Sequence, residues 1–374
     1  MTYRGPGRRL FRPYRPREIQ TVLATLVALV LASETRLKSR VPVHLAHATL
    51  EAMSRFLVTG GAGFIGSALV RGLLARGAKR VVVVDNLLTG HERNLDEVRG
   101  AVDFHRIDIR DYDALLKAME GIDVVFHEAA IPSVPRSINE PVPSHEVNIN
   151  GTFNVLRSAK EAGVRRVIYA ASSSAYGDTE ELPKVETMAP RPKSPYAAQK
   201  LLGEHYMSVW ASCFALETVS LRYFNVYGPR QDPDSPYSGV LSLFMTAILG
   251  RYAPTIFGDG EQSRDFTFVE DVVALNIKAA EAPSSVSGGM YNAGNGGRVT
   301  LNQAWALLEK IEGVRIPPKY GPARAGDVRD SQADTTRVRR DLGHNPQFTF
   351  EQGMRATLDW YRKSLVMDEA VSRE

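Results

Sequence analysis

The sequence is poor in cysteine, because Cys213 is the only one among 374 residues. One thiol cannot close an internal disulfide or supply a thiolate zinc site, so both are excluded as stabilising devices. Such a composition is typical of a reducing compartment and favours a cytoplasmic location. We expect no bound metal, and we expect Cys213 to be buried.

Apolar runs long enough to cross a membrane are also missing. The stretch from Ile19 to Ala32 is interrupted by three polar residues and falls short of the roughly 20 residues that a spanning helix needs. For residues 1–52 three alternatives stay open: a signal or anchor, an amphipathic extension on a membrane surface, and an extension foreign to the native product. We expect the third, with Met53 as the natural start, and no membrane association of the folded body.

Excess basic charge is absent from most of the chain. The formal net charge of +4 arises in residues 1–52, where nine Arg and Lys face three Asp and Glu, whereas the remainder holds 37 against 39. A basic groove is therefore not expected beyond residue 52, and we expect no nucleic-acid binding.

From Arg55 onward, short apolar strands alternate with helical stretches. The run RFLVTG precedes SALVRGLLARG, and RVVVVD, DVVFHEAA and RRVIYAASS follow at similar intervals. Continuous apolar strands separated by helices of about 10–15 residues are typical of a parallel sheet covered on both faces. The pattern predicts an α/β fold with a doubly wound parallel sheet of the Rossmann type.

The amino-acid composition of the chain changes near residue 225. We expect a dinucleotide-binding domain over residues 53–225, with a segment returning to it near 265–295. A smaller α/β domain for the substrate is expected mainly over residues 226–365, followed by a tail at 366–374. The second region carries long loops rich in Gly, Pro and Asp, and such loops usually bind ligands.

The stretch VTGGAGFIGS places four glycines between a predicted strand and a predicted helix. Missing side chains at Gly60, Gly63 and Gly66 allow a tight turn and let a pyrophosphate approach the start of the helix. Asp85 ends the second strand, 19 residues beyond Gly66, where a carboxylate accepts hydrogen bonds from ribose hydroxyls and repels a 2′-phosphate. This arrangement predicts NAD rather than NADP; the alternative is a tight turn that binds nothing.

Tyr196 and Lys200 lie four residues apart on a predicted helix that follows Pro195, so they share one face. Lowering the pKa of a phenol from about 10 to about 7 takes roughly 4 kcal/mol, which a nearby ammonium and a nicotinamide cation can supply. Residues 172–174 are three serines at the end of a predicted strand, where such sheets bind ligands. The combination predicts acid/base chemistry on a substrate hydroxyl.

Together, these residues resemble the extended short-chain dehydrogenase/reductase superfamily, in its NAD-dependent epimerase/dehydratase branch. The resemblance covers about Met53 to Leu365. Within the branch the chain is most similar to the UDP-N-acetylglucosamine (UDP-glucose) 4-epimerases, through the runs SVPRSI, LRYFNVYGPRQDP, SRDFTFVEDV, GGRVTLNQ and AGDVRDSQAD.

The resemblance implies NAD as the cofactor and assigns residues to each of its parts. The expected contacts are Gly60, Gly63, Phe64, Ile65 and Gly66 for the pyrophosphate, Asp85, Asn86 and Gly90 for the adenosine ribose, Asp108 and Ile109 for the adenine, and Ala129, Ala130, Asn148, Tyr196, Lys200 and Phe224 for the remainder.

A UDP-sugar substrate is implied in the same way, with Tyr196 as the acid/base and Lys200 as its electrostatic partner. The hydroxyl of Ser174 is expected to share the substrate proton. Because SSSAYG is one residue shorter than the SSSAVYG of many relatives, Ser173 stays open as the alternative. The expected substrate contacts are Ser133, Ser173, Ser174, Asn225, Phe257, Arg264, Arg324 and Ser331.

Two of these positions carry a further expectation. The charge of Arg264 and Arg324 suits the UDP diphosphate. In the family, the position of Ser331 borders the C2 substituent of the sugar, and a small residue there admits an N-acetyl group. We therefore expect UDP-N-acetylglucosamine to be accepted alongside UDP-glucose.

The implied reaction inverts C4 of a UDP-hexose through a 4-keto sugar. An epimerase or decarboxylase of UDP-glucuronate is the enzymatic alternative, and a dinucleotide-sensing protein is the non-enzymatic one. A 4,6-dehydratase is disfavoured, because Ala175 and Tyr176 stand where it would need an Asp-Glu pair. The resemblance also implies a homodimer joined through four helices.

Overall fold

The computed structural model of the chain describes residues 55–232, 239–323 and 328–371. The expectations for residues 1–52, Met53 and Arg324, and for the last residues of the tail, therefore lie outside the described residues.

Thirteen strands occur in the described residues. They are β1 (Arg55–Thr59), β2 (Arg80–Asp85), β3 (Asp103–Arg106), β4 (Val124–His127), β5 (Arg166–Ser172), β6 (Glu217–Tyr223), β7 (Asn225–Tyr227), β8 (Thr255–Phe257), β9 (Ser263–Arg264), β10 (Phe266–Phe268), β11 (Gly289–Ala293), β12 (Val299–Thr300) and β13 (Lys319–Gly321).

The α-helices of the same residues alternate with these strands. They are α1 (Phe64–Ala75), α2 (Tyr112–Ala118), α3 (Val134–Asn139), α4 (Pro141–His145), α5 (Thr152–Glu161), α6 (Pro195–Cys213), α7 (Val240–Leu249), α8 (Val269–Glu281), α9 (Leu301–Glu312), α10 (Thr336–Leu342) and α11 (Phe350–Val371).

Seven of the strands form one sheet in the order β11-β6-β5-β4-β1-β2-β3, and every neighbouring pair is parallel. The first strand, β1, lies in the middle of the sheet. The chain then runs outward through β2 to β3 at one edge, returns to β4 beside β1, and continues through β5 and β6 to β11 at the other edge. The predicted doubly wound parallel sheet is confirmed. This winding puts the reversal of strand order between β1 and β4, where ligands bind in such sheets.

Alternation along each strand sends side chains to the two faces of the sheet in turn. On one face, Phe56 and Val58 pack with apolar residues of α1, α8 and α10. On the other face, Leu57 packs with residues of α2, α5 and α6. Both faces are therefore apolar, which explains why the strands read as continuous hydrophobic runs.

A third apolar core lies in the second half of the chain. It unites Tyr227 and Phe266 with buried residues of α7, α9 and α11. Three two-stranded sheets accompany it: β7 with β10, β8 with β13 and β9 with β12. Within the described ranges, no helix is both long and apolar enough to cross a membrane.

Cys213 is exposed, so the prediction that it is buried was wrong. It is the last residue of α6, and the last buried side chain of that helix is Trp210. A helix end that runs beyond the core leaves even an apolar thiol in contact with solvent.

A fully buried arginine, Arg166, stands at the start of β5 and was not predicted. Arg166 Nη1 donates to the carbonyl oxygens of Ala279, Ala280 and Ala282 at 2.8, 3.1 and 2.6 Å, and its Nε donates to Glu217 at 2.9 Å. The last carbonyls of a helix lack partners within the helix. Arg166 therefore completes the C-terminus of α8 and fixes this helix to the sheet.

The substitution Arg166→Met should lower the free energy of unfolding by about 3–5 kcal/mol, because it leaves buried carbonyls and a carboxylate without this partner. Urea denaturation followed by circular dichroism measures the change. The control is Arg99→Met, which removes an exposed arginine paired with Glu92 and Asp96 and should cost less than about 1 kcal/mol. Equal effects of the two substitutions would contradict this role of Arg166.

Candidate active site

The glycine turn joins β1 to α1 at the centre of the sheet. Gly60 has a φ of +68°, and a Cβ there would lie 2.7 Å from the amide nitrogen of Ala129 after β4. A Cβ at Gly66 would lie 2.1 Å from the carbonyl oxygen of Gly60. Only glycine therefore lets the helix begin directly above the ends of two strands.

The first turn of α1 is open to a ligand. Its N-cap residue is Gly63, which has no side chain to accept a hydrogen bond, and no acidic residue lies in the first turn. The N–H groups of a first helical turn have no partner within the helix and carry partial positive charge. The start of the helix at Phe64 and Ile65 could therefore hold a pyrophosphate, and the contact that the resemblance implies for these two residues stays a prediction.

Asp85 braces this turn in addition to its predicted contact with ribose. Its carboxylate is buried and accepts hydrogen bonds from the amide nitrogens of Ala62 at 3.0 Å and Leu87 at 2.8 Å. Burial raises the pKa of Asp85, while these two hydrogen bonds act in the opposite direction. Gly90 closes on the same carboxylate, since a Cβ there would lie 2.9 Å from Asp85 Oδ2.

Asp108 is held from two sides at the end of β3. Asn86 Nδ2 donates to it at 2.8 Å, and the Arg110 guanidinium donates to both of its oxygens at 2.9 Å. The Arg110 side chain holds the pKa of Asp108 at about 2. Arg110 also pairs with Glu146 at 3.0 Å. Sequence reasoning found Asn86 and Asp108 and missed Arg110 and Glu146, whose spacing carries no motif.

An open depression of about 560 Å³ adjoins this carboxylate. It is lined by Asp108, Arg110, Asp111, Glu146, Asn150 and Asn154. Ile109, the next residue after Asp108, is buried, and a Cβ added to Gly151 would come within 2.5 Å of Ile109 Cδ1. The lining includes Asp108, which the resemblance assigns to the adenine.

The start of α6 presents Tyr196 to the end of β5. Ser194 caps the helix by accepting from the amide of Ala197 at 3.1 Å, and Pro195 occupies its first turn. The amide of Tyr196 donates to Ser137 Oγ at 3.1 Å. These contacts fix the first turn, and the phenol comes close enough to Ser172 for that hydroxyl to favour the phenolate.

The structure points to Ser172, which the sequence placed among three candidate serines, whereas the expected catalytic hydroxyl was that of Ser174 or Ser173. Ser172 Oγ accepts from Ser174 Oγ at 2.8 Å and from the Ser174 amide at 3.2 Å. Ser172, the last residue of β5, is also the serine whose hydroxyl favours the phenolate of Tyr196. Counting residues in SSSAYG could not show which hydroxyl the strand end would present.

Lys200 lies one helical turn after Tyr196 and is almost fully buried. Its ammonium donates to the Ala170 carbonyl at 2.7 Å and lies 4.9 Å from the centre of the Tyr169 ring. Burial lowers the pKa of Lys200 to about 8 and raises the pKa of Tyr196 to about 12. At neutral pH the lysine is therefore mostly charged and the phenol is protonated.

Glu128 is a second acidic group of the site that the sequence reasoning did not single out. It precedes Ala129 and Ala130 at the end of β4 and accepts a 2.7 Å hydrogen bond from the Tyr223 hydroxyl. Burial raises the pKa of Glu128 to about 7, opposed by this hydrogen bond and by the charge of Lys200. The carboxyl in turn favours the charged form of Lys200.

Asn148 supports the site from below. It lies in a turn of π-helix, Glu146–Gly151, and its side chain accepts from the Ile131 amide and donates to Gln199, both at 2.8 Å. The residue therefore links the segment after β4 to α6. Ser133 is also buried, and its hydroxyl caps α3 by accepting from the Arg136 amide at 3.1 Å.

Several predicted substrate residues meet near the end of β6. Ser331 Oγ lies 3.4 Å from Asn225 Oδ1, and Phe224 packs against the ring of Tyr176 at 6.4 Å. Arg264 donates to the Arg329 carbonyl at 3.0 Å on the same side. Phe257 lies further along, where β8 pairs with β13.

Comparison with known proteins shows the family of the chain. Residues 56–294 match the model of the NAD dependent epimerase/dehydratase family. A UDP-glucose 4-epimerase from Mycolicibacterium smegmatis is 38% identical over 312 residues, which are 82% of this chain and 98% of that protein.

Solved structures are similar along the same part of the chain. A UDP-N-acetylglucosamine 4-epimerase from Methanobrevibacter ruminantium, in complex with UDP-N-acetylmuramic acid, has a TM-score of 0.79 and 36% identity over 83% of this chain and 99% of its own. A Thermus thermophilus UDP-glucose 4-epimerase in complex with NAD has a TM-score of 0.75 and 38% identity over 82% and 99%.

The substitution Asp85→Asn should weaken NAD binding about tenfold, because an amide cannot accept from both Ala62 and Leu87 and so disturbs the turn. Calorimetric titration of nucleotide-free protein with NAD measures the affinity. Asp103→Asn is the control, since Asp103 is an exposed carboxylate of the neighbouring strand, paired with Arg80. Wild-type affinity in a stably folded Asp85→Asn protein would exclude the brace.

Proposed function

Because the chain belongs to the NAD dependent epimerase/dehydratase family, we propose that it is an NAD-dependent isomerase that inverts C4 of a UDP-hexose. The proposal rests on one observation. Tyr196, Lys200 and the serine hydroxyls lie at the carboxyl ends of the parallel strands, where α1 also begins. A nicotinamide dinucleotide and a sugar hydroxyl can meet only at such a place.

Tyr196 is the proposed acid and base of the reaction. It removes the proton of the C4 hydroxyl as C4 loses hydride, and it returns a proton when hydride comes back to the other face of the 4-keto sugar. Bound NAD supplies the hydride acceptor and a positive charge. The hydroxyls of Ser172 and Ser174 orient the C4 oxygen, and in this pair Ser172 is the direct neighbour of Tyr196.

The weak acidity of the Tyr196 phenol explains why it needs both Ser172 and Lys200 as partners. Moving its pKa from about 12 to about 7 requires roughly 7 kcal/mol at 1.36 kcal/mol per unit. The Ser172 hydroxyl favours the phenolate. We assign the same role to the Lys200 ammonium, one helical turn away, whose charge Glu128 and Glu204 favour. The remainder falls to the charge that the oxidised cofactor brings, so the base forms only in the complex.

The substrate contacts follow from the second region of the chain. We assign the sugar to Asn225 and Ser331, and the diphosphate to Arg264 together with Arg324. The side chain of Ser331 is small. This favours acceptance of UDP-N-acetylglucosamine and its C4 epimer as well as UDP-glucose and UDP-galactose.

We also propose that the chain forms a homodimer through α5 and α6. Four aromatic side chains of this surface, Phe153, Tyr206, Trp210 and Phe214, contact one another with ring centres 4.8–5.9 Å apart. Phe153 and Phe214 remain 38% and 45% exposed, as expected of a face that a second copy covers. Sedimentation at the monomer mass would contradict this assembly.

The proposed place of action is the cytoplasm. The single, exposed Cys213 suits a reducing compartment, and NAD is a cofactor of that compartment. Fractionation of the native host that placed the protein elsewhere would contradict this.

The function is tested by incubating the protein with UDP-glucose, UDP-N-acetylglucosamine and UDP-glucuronate and following C4 inversion by NMR. We expect conversion of the first two. The variant Tyr196→Phe should lose about 10²- to 10⁴-fold in kcat and still bind NAD, whereas Tyr252→Phe, which alters an exposed tyrosine, should match the wild type.

Each other outcome favours a named alternative. Conversion of the glucuronate alone would identify an epimerase or decarboxylase of that sugar. Binding of NAD without turnover of any sugar, or full activity of Tyr196→Phe, would favour a dinucleotide-sensing protein.

The C2 specificity is tested by Ser331→Tyr. A phenol at this position should fill the space for an N-acetyl group, so turnover of UDP-glucose should persist while that of UDP-N-acetylglucosamine is lost. The same NMR assay compares the two sugars. Equal loss of both activities would refute the role of Ser331 in selecting the C2 substituent.

A further inference from the structure

One carboxylate that the mechanism does not use is buried beside the substrate residues. Asp265 lies between β9 and β10, is fully buried, and follows Arg264 in sequence. Its Oδ1 accepts from the Asn295 amide at 2.7 Å, and its Oδ2 accepts from the amides of Gly296 at 2.9 Å and Ala333 at 3.0 Å. The side chain thus joins the turn after β11 to the segment that contains Ser331.

The backbone of the same residue reaches two more predicted substrate positions. The Asp265 carbonyl accepts from the Asn225 amide at 3.1 Å, and the Asp265 amide donates to Ser331 Oγ at 3.3 Å. One residue therefore contacts the strand that carries Asn225, the side chain of Ser331, and the two segments that flank them.

Gly294 allows the segments to close around this carboxylate. A Cβ there would lie 2.5 Å from the Cβ of Ala333 and 2.9 Å from Asp265 Oδ2. The approach is too close for any side chain, so the turn after β11 and the segment at 331–333 are fitted to each other across Asp265.

We propose that Asp265 is a positioning residue for the sugar-nucleotide site. Its backbone bonds Asn225 and Ser331, and its carboxylate holds that backbone in place through hydrogen bonds to three amides of the flanking segments. This inference rests on the proposed function. Asp265 does not itself touch the sugar; it acts through the residues that do.

The energetics of burial support a role other than stability. Desolvation raises the pKa of Asp265 to about 6, above the ordinary value near 4, although the three amides oppose the shift. A carboxyl whose pKa is raised on folding favours the folded state at low pH, and this advantage is lost as pH rises past about 6. At neutral pH the charge of the Asp265 carboxylate therefore opposes folding. The contribution of this carboxylate is the alignment of three segments of the chain.

The chain contains a matched control six residues further on. Asp271 is also buried, burial also raises its pKa, and it accepts from the backbone amides of Gln347 at 2.7 Å and Phe348 at 3.3 Å. It has the same chemistry as Asp265, but it holds the segment before α11 and not the substrate residues.

The experiment compares Asp265→Asn with Asp271→Asn. An amide in place of the carboxylate turns one N–H group toward the backbone donors, so the substrate segments should shift. We expect the KM for UDP-N-acetylglucosamine to rise about tenfold or more in Asp265→Asn, with kcat changed less than about threefold and NAD affinity unchanged. Asp271→Asn should leave KM at the wild-type value.

Hydrogen exchange with mass spectrometry gives a readout that needs no turnover. Peptides covering 294–296 and 331–333 should exchange faster in Asp265→Asn than in the wild type, whereas Asp271→Asn should affect peptides near 347–348. If Asp265→Asn does not fold, Ala333→Gly is the milder probe, because it removes the methyl group that packs against Gly294 and loosens the segment that Asp265 holds, and it should raise KM in the same way.

The outcomes separate this inference from the proposed function. A wild-type protein that turns over no UDP-sugar would defeat the proposed function. Unchanged exchange in the two peptides would overturn the brace, and faster exchange with an unchanged KM would overturn its role in positioning the substrate.

Discussion

The close approach of α1 to the ends of β1 and β4 is the constraint on which the rest of the site depends. Gly60 and Gly66 leave no room for side chains, so the helix starts above the reversal of strand order. Asp85, Gly90 and Ala129 then close around the turn. The other groups that we assign to the acid/base chemistry lie at the end of a neighbouring strand or on the helix that follows that strand.

The site has two parts in which buried charges are stabilised in different ways. Around Tyr196, burial makes a charge unfavourable on the phenol and on the Lys200 ammonium. The Ser172 hydroxyl opposes this for Tyr196, and Glu128 and Glu204 oppose it for Lys200. Around Asp265, burial is equally unfavourable, but three amides hold the carboxylate in one orientation. The first part can change its charge during a reaction, while the second keeps its geometry.

The parallel sheet, the glycine turn and the Tyr196–Lys200 pair could be predicted from sequence, because each depends on local spacing. Ser172 could not be singled out, since the end of β5 decides which of three serines faces Tyr196. Arg110, Arg166 and Glu128 pair with Glu146, Ala282 and Tyr223, which lie 36, 116 and 95 residues away, and no local pattern records such pairings. Cys213 was mispredicted because composition does not show where a helix leaves the core.

The order of strands also bears on how the chain is made. The edge strand β11 and the helices α8 and α10, which complete one face of the sheet, come from residues 269–342, although most of the sheet is in place by residue 223. A growing chain released from the ribosome only as far as α7 therefore has β6 unpaired on one side and part of an apolar face uncovered. Exposed strand edges and apolar surface invite association. During synthesis, this half-made sheet is the species that a chaperone would have to shield.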